Sequence, residues 1–159
     1  MPTSEVGRVV PLSSNAPVVL VVDDELGPRA ALCRMVRGIG YRVRTARGGR
    51  EALRHLQEHP GQIRVLLTDL CMPRMDGGEL AERALDLDPR LRIVLLSEPA
   101  EGRAAELLAG YPELPYLEKP VGFGALYSVL FQMLGPLGSP ETVPRSADRT
   151  RARARERQL

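Results

Sequence analysis

The sequence predicts an α/β protein: a five-stranded parallel sheet with helices on both faces, a (βα)5 doubly wound arrangement in strand order 2-1-3-4-5. Three observations predict it. Five short runs rich in Val, Ile and Leu alternate with five helix-like segments. The first, third and fourth runs are continuously apolar, as central strands covered on both faces must be. The second run carries Arg42 and Arg44 and the fifth contains Pro115, both features of edge strands.

In chain order, VVLVV (18–22) reads as a buried strand. Pro28 suits the first turn of the helix that follows, where Leu32, Met35, Val36 and Ile39 recur on one face. YRVRT (41–45) alternates as a half-exposed strand does. Gly48 and Gly49 lead into a helix through His55, with Leu53 and Leu56 turned inward. IRVLL (63–67) is the third strand. A third helix follows Gly77 and Gly78 and carries Leu80, Ala84 and Leu87. RIVLL (92–96) is the fourth strand, residues 100–109 the fourth helix, and LPYLE (114–118) the fifth strand. The fifth helix, 123–134, has no charge and is apolar almost all round. A one-sided surface helix shows a polar face, so part of this one is expected to be covered by a second copy or a partner.

A chain of 159 residues fits one domain with flanks. Residues 1–16 read as a flexible N-terminal segment, 17–135 as the folded domain, and 136–159, ending RTRARARERQL, as a flexible basic tail. Aromatics are only 4% of the chain, so the core is aliphatic. Two cysteines exclude a disulfide framework and a four-cysteine zinc site, and imply a reducing, cytoplasmic setting. The net charge is +2, but six arginines against three acids place the excess in the tail. The body therefore offers no electrostatic case for nucleic acid; only the tail does. The first 16 residues lack a continuous apolar stretch and carry Pro2 and Pro11, so no secretory signal is expected. The apolar run Phe123 to Leu134 is too short to span a bilayer, so no membrane insertion is expected.

Ligands of such sheets bind beyond the carboxyl ends of the strands, near the switch in strand order. Asp23, Asp24 and Glu25 follow the first strand, Asp69 the third, Ser97 the fourth and Lys119 the fifth. Neighbouring first and third strands bring Asp23, Asp24 and Asp69 to one mouth. Their mutual repulsion is relieved by a hard divalent cation, and Mg2+ suits oxygen ligands that leave room for water and a phosphate. Lys119 is the chain's only lysine beside 21 arginines. Its compact ammonium on a flexible stem can contact a carboxylate or a phosphoryl oxygen, a role that planar arginine does not fill freely. The Ser97 hydroxyl can donate to the same oxygen.

Each feature alone has a plainer reading. Asp23 and Asp24 suit a solvated turn, Asp69 a Pro- and Gly-rich turn, Ser97 a helix start and Tyr116 an edge strand. Cys33 reads as packing. His55 and His59 have no partners at a trusted metal-ligand spacing.

Taken in order, VVLVVDDE, VLLTDLCMPRMDGGEL, IVLLSEPA and YLEKP resemble the receiver domain of two-component response regulators, over roughly residues 17–135. The resemblance implies a flavodoxin-like fold and a single-domain regulator without an output domain after residue 135. It makes Asp69 the phosphoacceptor, taking a phosphoryl group from a sensor histidine kinase or a histidine phosphotransfer protein. Asp23, Asp24, Asp69 and the backbone carbonyl of Cys71 would hold Mg2+, and Lys119 would pair with the phosphoryl group. Ser97 and Tyr116 would act as the switch pair, and the Lys119–Pro120 bond would be cis. The surface of the fourth helix, fifth strand and fifth helix would form a homodimer. The chain is then no enzyme but a phosphoacceptor with at most slow autophosphatase activity. Cys71 and Pro99 occupy the positions that tune water access in the family, and neither positions an attacking water. Glu98 stands where the family usually has a small residue, and its carboxylate would repel an incoming phosphoryl group. Two alternatives stand beside this reading. One is a phosphorylation-silent scaffold whose basic tail binds nucleic acid or a partner. The other is a phosphatase of the haloacid dehalogenase type, which would want its two aspartates separated by one residue rather than adjacent.

Overall fold

A computed structural model describes residues 16–136. The expected flexible flanks, 1–16 and 136–159, lie almost wholly outside the described residues. Strands β1 (Val18–Val22), β2 (Arg42–Ala46), β3 (Ile63–Asp69), β4 (Arg92–Ser97) and β5 (Tyr116–Glu118) pair in parallel in the order β2-β1-β3-β4-β5. Each is followed by a helix: α1 (Leu26–Ile39), α2 (Gly49–Glu58), α3 (Gly77–Leu87), α4 (Gly102–Gly110) and α5 (Phe123–Leu134). The expected topology is the observed one, with the arginine-bearing strand and the proline-led strand at the two edges. Among the described residues no helix is long and apolar enough to cross a membrane.

The strand period of two divides the core. Val19 and Val21 of β1 turn to the face covered by Leu32, Cys33 and Val36 of α1 and Leu126 and Leu130 of α5. Val18, Leu20 and Val22 turn to the other face, where Leu56, Leu80 and Ala84 of α2 and α3 pack. All five residues of β1 are buried, and each fully buried aliphatic side chain contributes about 1.5–3 kcal/mol over leaving it in water. Cys33 is packing, as expected.

Local chemistry sets the helix ends. The α1 helix stops at Gly40, whose φ of 114° suits glycine and whose N–H donates to the Arg37 carbonyl at 3.0 Å. Asp76 caps α3, its Oδ1 accepting from the Glu79 N–H at 2.9 Å. Next to Gly40, the buried Tyr41 donates its hydroxyl to the Gly135 carbonyl at 3.5 Å, tying the end of α5 to the α1–β2 junction. Burial pushes the Tyr41 hydroxyl pKa up, with the neighbouring Tyr127 adding to the shift.

Several boundaries differ from the sequence expectation. The β3 and β4 strands run on to Asp69 and Ser97, so both residues end their strands instead of following them. The β5 strand shrinks to three residues: Pro115 lacks an N–H, and pairing starts from its carbonyl, which accepts from Leu95 N at 2.9 Å. A tight turn in which the Glu101 N–H reaches the Pro99 carbonyl delays α4 to Gly102. Leu87, read with Leu80 and Ala84 on the third helix, is 46% exposed. It is the last residue of α3 and lines a surface cleft with Leu56 and Ile63.

Gly77 packs where no side chain fits. An added Cβ would run into the backbone carbonyl of Asp69 and stand 2.9 Å from the Leu70 Cα. Gly124, early in α5, has open space around it. Gly77→Ala is expected to cost about 1–3 kcal/mol, whereas Gly124→Ala is expected to be neutral or stabilising by up to about 1 kcal/mol. Urea unfolding midpoints check both.

Candidate functional site

Register brings the site together. Val22 of β1 lies level with Thr68 of β3, and Asp69 with Leu96 of β4. The next residue after β1, Asp23, therefore meets Asp69 at the carboxyl edge. Ser97 is level with Glu118 of β5, which brings Lys119 alongside. The Lys119 Nζ stands 2.9 Å from Asp69 Oδ1 and 3.8 Å from Asp23 Oδ2. Asp23, Asp24 and Asp69 each present a carboxylate oxygen within 4.8 Å of the others. The peptide bond Lys119–Pro120 is cis, and the Lys119 N–H donates to the Ser97 carbonyl at 2.8 Å.

The backbone around these groups is well tied. Asp23 Oδ1 accepts from the Glu25 N–H at 2.9 Å, and its carbonyl accepts from Arg29 Nη1 at 2.8 Å. The Thr68 hydroxyl donates to the Asp69 carbonyl at 3.0 Å. Leu70 N–H bonds to the Leu96 carbonyl, and Gly77 N–H to the Leu70 carbonyl, each at 2.8 Å. Arg29, Thr68 and Gly77 thus position the mouth without carrying its charge. Sequence reasoning missed the first two and took Gly77 only as a helix start; the glycine pair after the Asp69 turn was the available signal of close approach.

Burial dominates the electrostatics. It pushes the Asp69 carboxyl pKa up; the hydrogen bond and charge of Lys119 oppose this but do not overcome it, and Asp23 and Asp24 push the same way as burial. For Lys119, burial is the largest single effect and lowers the pKa. The hydrogen bond to Asp69 and the charges of Asp69, Asp23 and Glu98 together outweigh it, and the net shift is upward. One cation faces three carboxylates, so the cluster retains excess negative charge. Asp23 Oδ2 is buried without a hydrogen-bond partner, which leaves a costly acceptor unmatched.

Not every expected residue joins the cluster. The buried Ser97 hydroxyl donates to the Glu98 carbonyl at 2.6 Å. Tyr116 is 48% exposed on β5. Cys71 follows in the loop towards α3, where burial raises its thiol pKa, Asp69 raises it further, and Arg103 and Lys119 oppose. Elsewhere, His55, Glu58 and His59 each present one potential donor atom within 4.8 Å of the others. The sequence reading leaves the two histidines without partners at a trusted metal-ligand spacing. His55 and Glu58 share a face of α2, and His59 is the residue that ends the helix.

Residues 19–131 match the response regulator receiver domain. The chain belongs to the response regulator receiver family. It is 35% identical over 120 residues to the response regulator receiver protein CpdR of Brucella abortus (strain 2308), covering 73% of this chain and 95% of that protein. It is 31% identical over 130 residues to the sensor kinase CckA of the same organism, covering 82% of this chain but only 14% of that protein. A receiver domain protein from Clostridium thermocellum has a similar structure, with a TM-score of 0.67 at 26% identity over 74% of this chain and 93% of that one. The receiver fold thus accounts for the convergence of three strand ends on one acidic mouth.

A carboxyl whose pKa is raised on folding is destabilising in its charged form. Its contribution is most favourable below the unfolded pKa and is lost as pH rises through the folded one. Without divalent ions, Asp69→Asn in this receiver is expected to melt above the wild type at neutral pH. The gap should close as pH falls towards the ordinary carboxylate range. Thermal unfolding in chelator across that range checks the sign.

Proposed function

We propose that this receiver is a phospho-accepting switch whose acceptor is Asp69. The observation that carries the reading is the 2.9 Å contact between Lys119 Nζ and Asp69 Oδ1 inside a cluster of three carboxylates. The donor is a phosphohistidine on a sensor histidine kinase or a histidine phosphotransfer protein. The Asp69 carboxylate attacks the phosphorus; a P–O bond forms, the P–N bond breaks, and the imidazole leaves with the bonding pair. Asp23, Asp24, Asp69 and the Cys71 backbone carbonyl would hold Mg2+. The residues fit that ion: all are oxygen donors, and the buried Asp23 Oδ2 has no hydrogen bond and only the distant Lys119 ammonium at 3.8 Å, so it can accept a closer cation. When bound, the ion neutralises carboxylate and phosphoryl oxygens together.

Lys119 exchanges its contact with Asp69 for one with a phosphoryl oxygen, supplying the charge on the opposite side. Ser97 leaves the Glu98 carbonyl and donates to the same group. Tyr116, exposed beforehand, follows into the space vacated. The chain acts as a substrate of its partner and not as an enzyme; with Cys71 and Pro99 flanking the site, loss of the phosphoryl group to water is slow.

Output runs through the surface of α4, β5 and α5, which also carries a homodimer. On α5, Phe123, Tyr127 and Phe131 are each more than two-fifths exposed and recur every four residues, with the last two rings stacked 6.0 Å apart. Such a stripe in water favours a covering partner.

Incubation with Mg2+ and acetyl phosphate, read by intact mass, tests the central claim. One phosphoryl adduct is expected on the wild type and none on Asp69→Ala; a wild type without an adduct sinks the reading. Glu98→Ala is expected to accelerate adduct formation several-fold, since a repulsive charge beside the site is worth about 1 kcal/mol. Light scattering checks the surface: a dimer of the 17.5 kDa chain is expected, reverting to monomer in Phe131→Glu.

A further inference from the structure

At the opposite edge of the sheet, the last turn of α2 gathers its own ligands. His55 and Glu58 stand three residues apart on one face of α2, and His59 is the residue that ends the helix. One ligating atom from each lies within 4.8 Å of the others. The imidazole rings stack with centroids 6.4 Å apart and planes 23° from parallel. The β3 strand, seven residues long, separates this end of the molecule from Asp69, on the order of 20 Å.

We propose that His55, Glu58 and His59 bind a divalent transition-metal ion of the zinc class, independently of the acidic mouth. Two imidazoles and one carboxylate form a donor set that borderline-soft ions take and magnesium does not favour. Neither histidine ring is consumed by a strong neighbour. His55 Nδ1 is buried without a hydrogen-bond partner, and Nε2 stands 3.9 Å from Glu51 Oε1, beyond a hydrogen bond. Glu51 adds a carboxylate one turn earlier, held in place by the Arg47 N–H at 3.0 Å.

The backbone favours a cation here as well. The site sits at the C-terminal end of α2, where the last carbonyls carry about half a negative charge. His59 closes the helix, its N–H donating to the His55 carbonyl at 3.1 Å. A metal bridging these two side chains would clamp the turn that this bond already defines. His59 also lines a cleft of about 240 Å3 with Leu56, Pro60, Ile63 and Leu87, so solvent reaches this one of the three ligands.

Calorimetric titration of ZnCl2 into the full chain, with excess Mg2+ present to occupy the acidic mouth, tests this. One Zn2+ per chain is expected. His59→Asn, a surface change that should leave the fold intact by circular dichroism, is expected to weaken binding at least about tenfold, since even indirect partners of metal ligands cost that much. Cys71→Ser is expected to bind as the wild type does. The thermal midpoint should rise with Zn2+ in the wild type and not in His59→Asn. Absence of zinc binding, unchanged affinity in His59→Asn, or loss of binding in Cys71→Ser would each overturn the proposal.

Discussion

Three carboxylates held against one ammonium at the carboxyl edge of the sheet are the constraint on which the molecule turns. Like charges at such range repel strongly once partly withdrawn from water, and no flexible loop would hold them there. They stay because each is anchored to a strand buried on both faces. Asp69 is the last residue of β3, Asp23 is the first residue beyond β1, and Lys119 follows β5. The aliphatic core thus supplies the free energy that the charge cluster withdraws. The raised Asp69 carboxyl is the local sign of that opposition.

The same constraint explains where the structure tolerates no change. The Leu70–Leu96 and Gly77–Leu70 backbone bonds fasten the segment after Asp69 to β4 and α3. Gly77 is a glycine because the helix start lies directly on the Asp69 carbonyl. On the opposite side Arg29 reaches from α1 to the Asp23 carbonyl. The acidic mouth is therefore braced from both faces of the sheet, whereas β5, its shortest strand, carries the exposed Tyr116 and ends just before Lys119.

Legibility in the sequence followed the physics of each feature. Strand ends were readable because continuous apolar runs stop abruptly at Asp23 and near Asp69, Ser97 and Lys119, so the cluster could be placed before any coordinates. Edge strands were readable from Arg42, Arg44 and Pro115. What a side chain does with its last torsion was not: the Ser97 hydroxyl turned to the Glu98 carbonyl, and Leu87 stayed at the surface although its spacing suits the core. Contacts across the fold, such as Arg29 on Asp23 or Tyr41 on Gly135, depend on approaches between elements that no local pattern encodes. The grouping of His55 and His59 with Glu58 was not read from the sequence, because the nearness of their donor atoms is a property of the folded chain.

The Ser97 hydroxyl has a consequence of its own. Bonded at 2.6 Å to the Glu98 carbonyl and wholly buried, it would forfeit roughly 1 kcal/mol or more by turning away without a new acceptor. That bond alone favours the observed orientation at least about fivefold. The hydroxyl therefore turns only where another acceptor comes within its reach, and its orientation reports what occupies the carboxyl edge of the sheet.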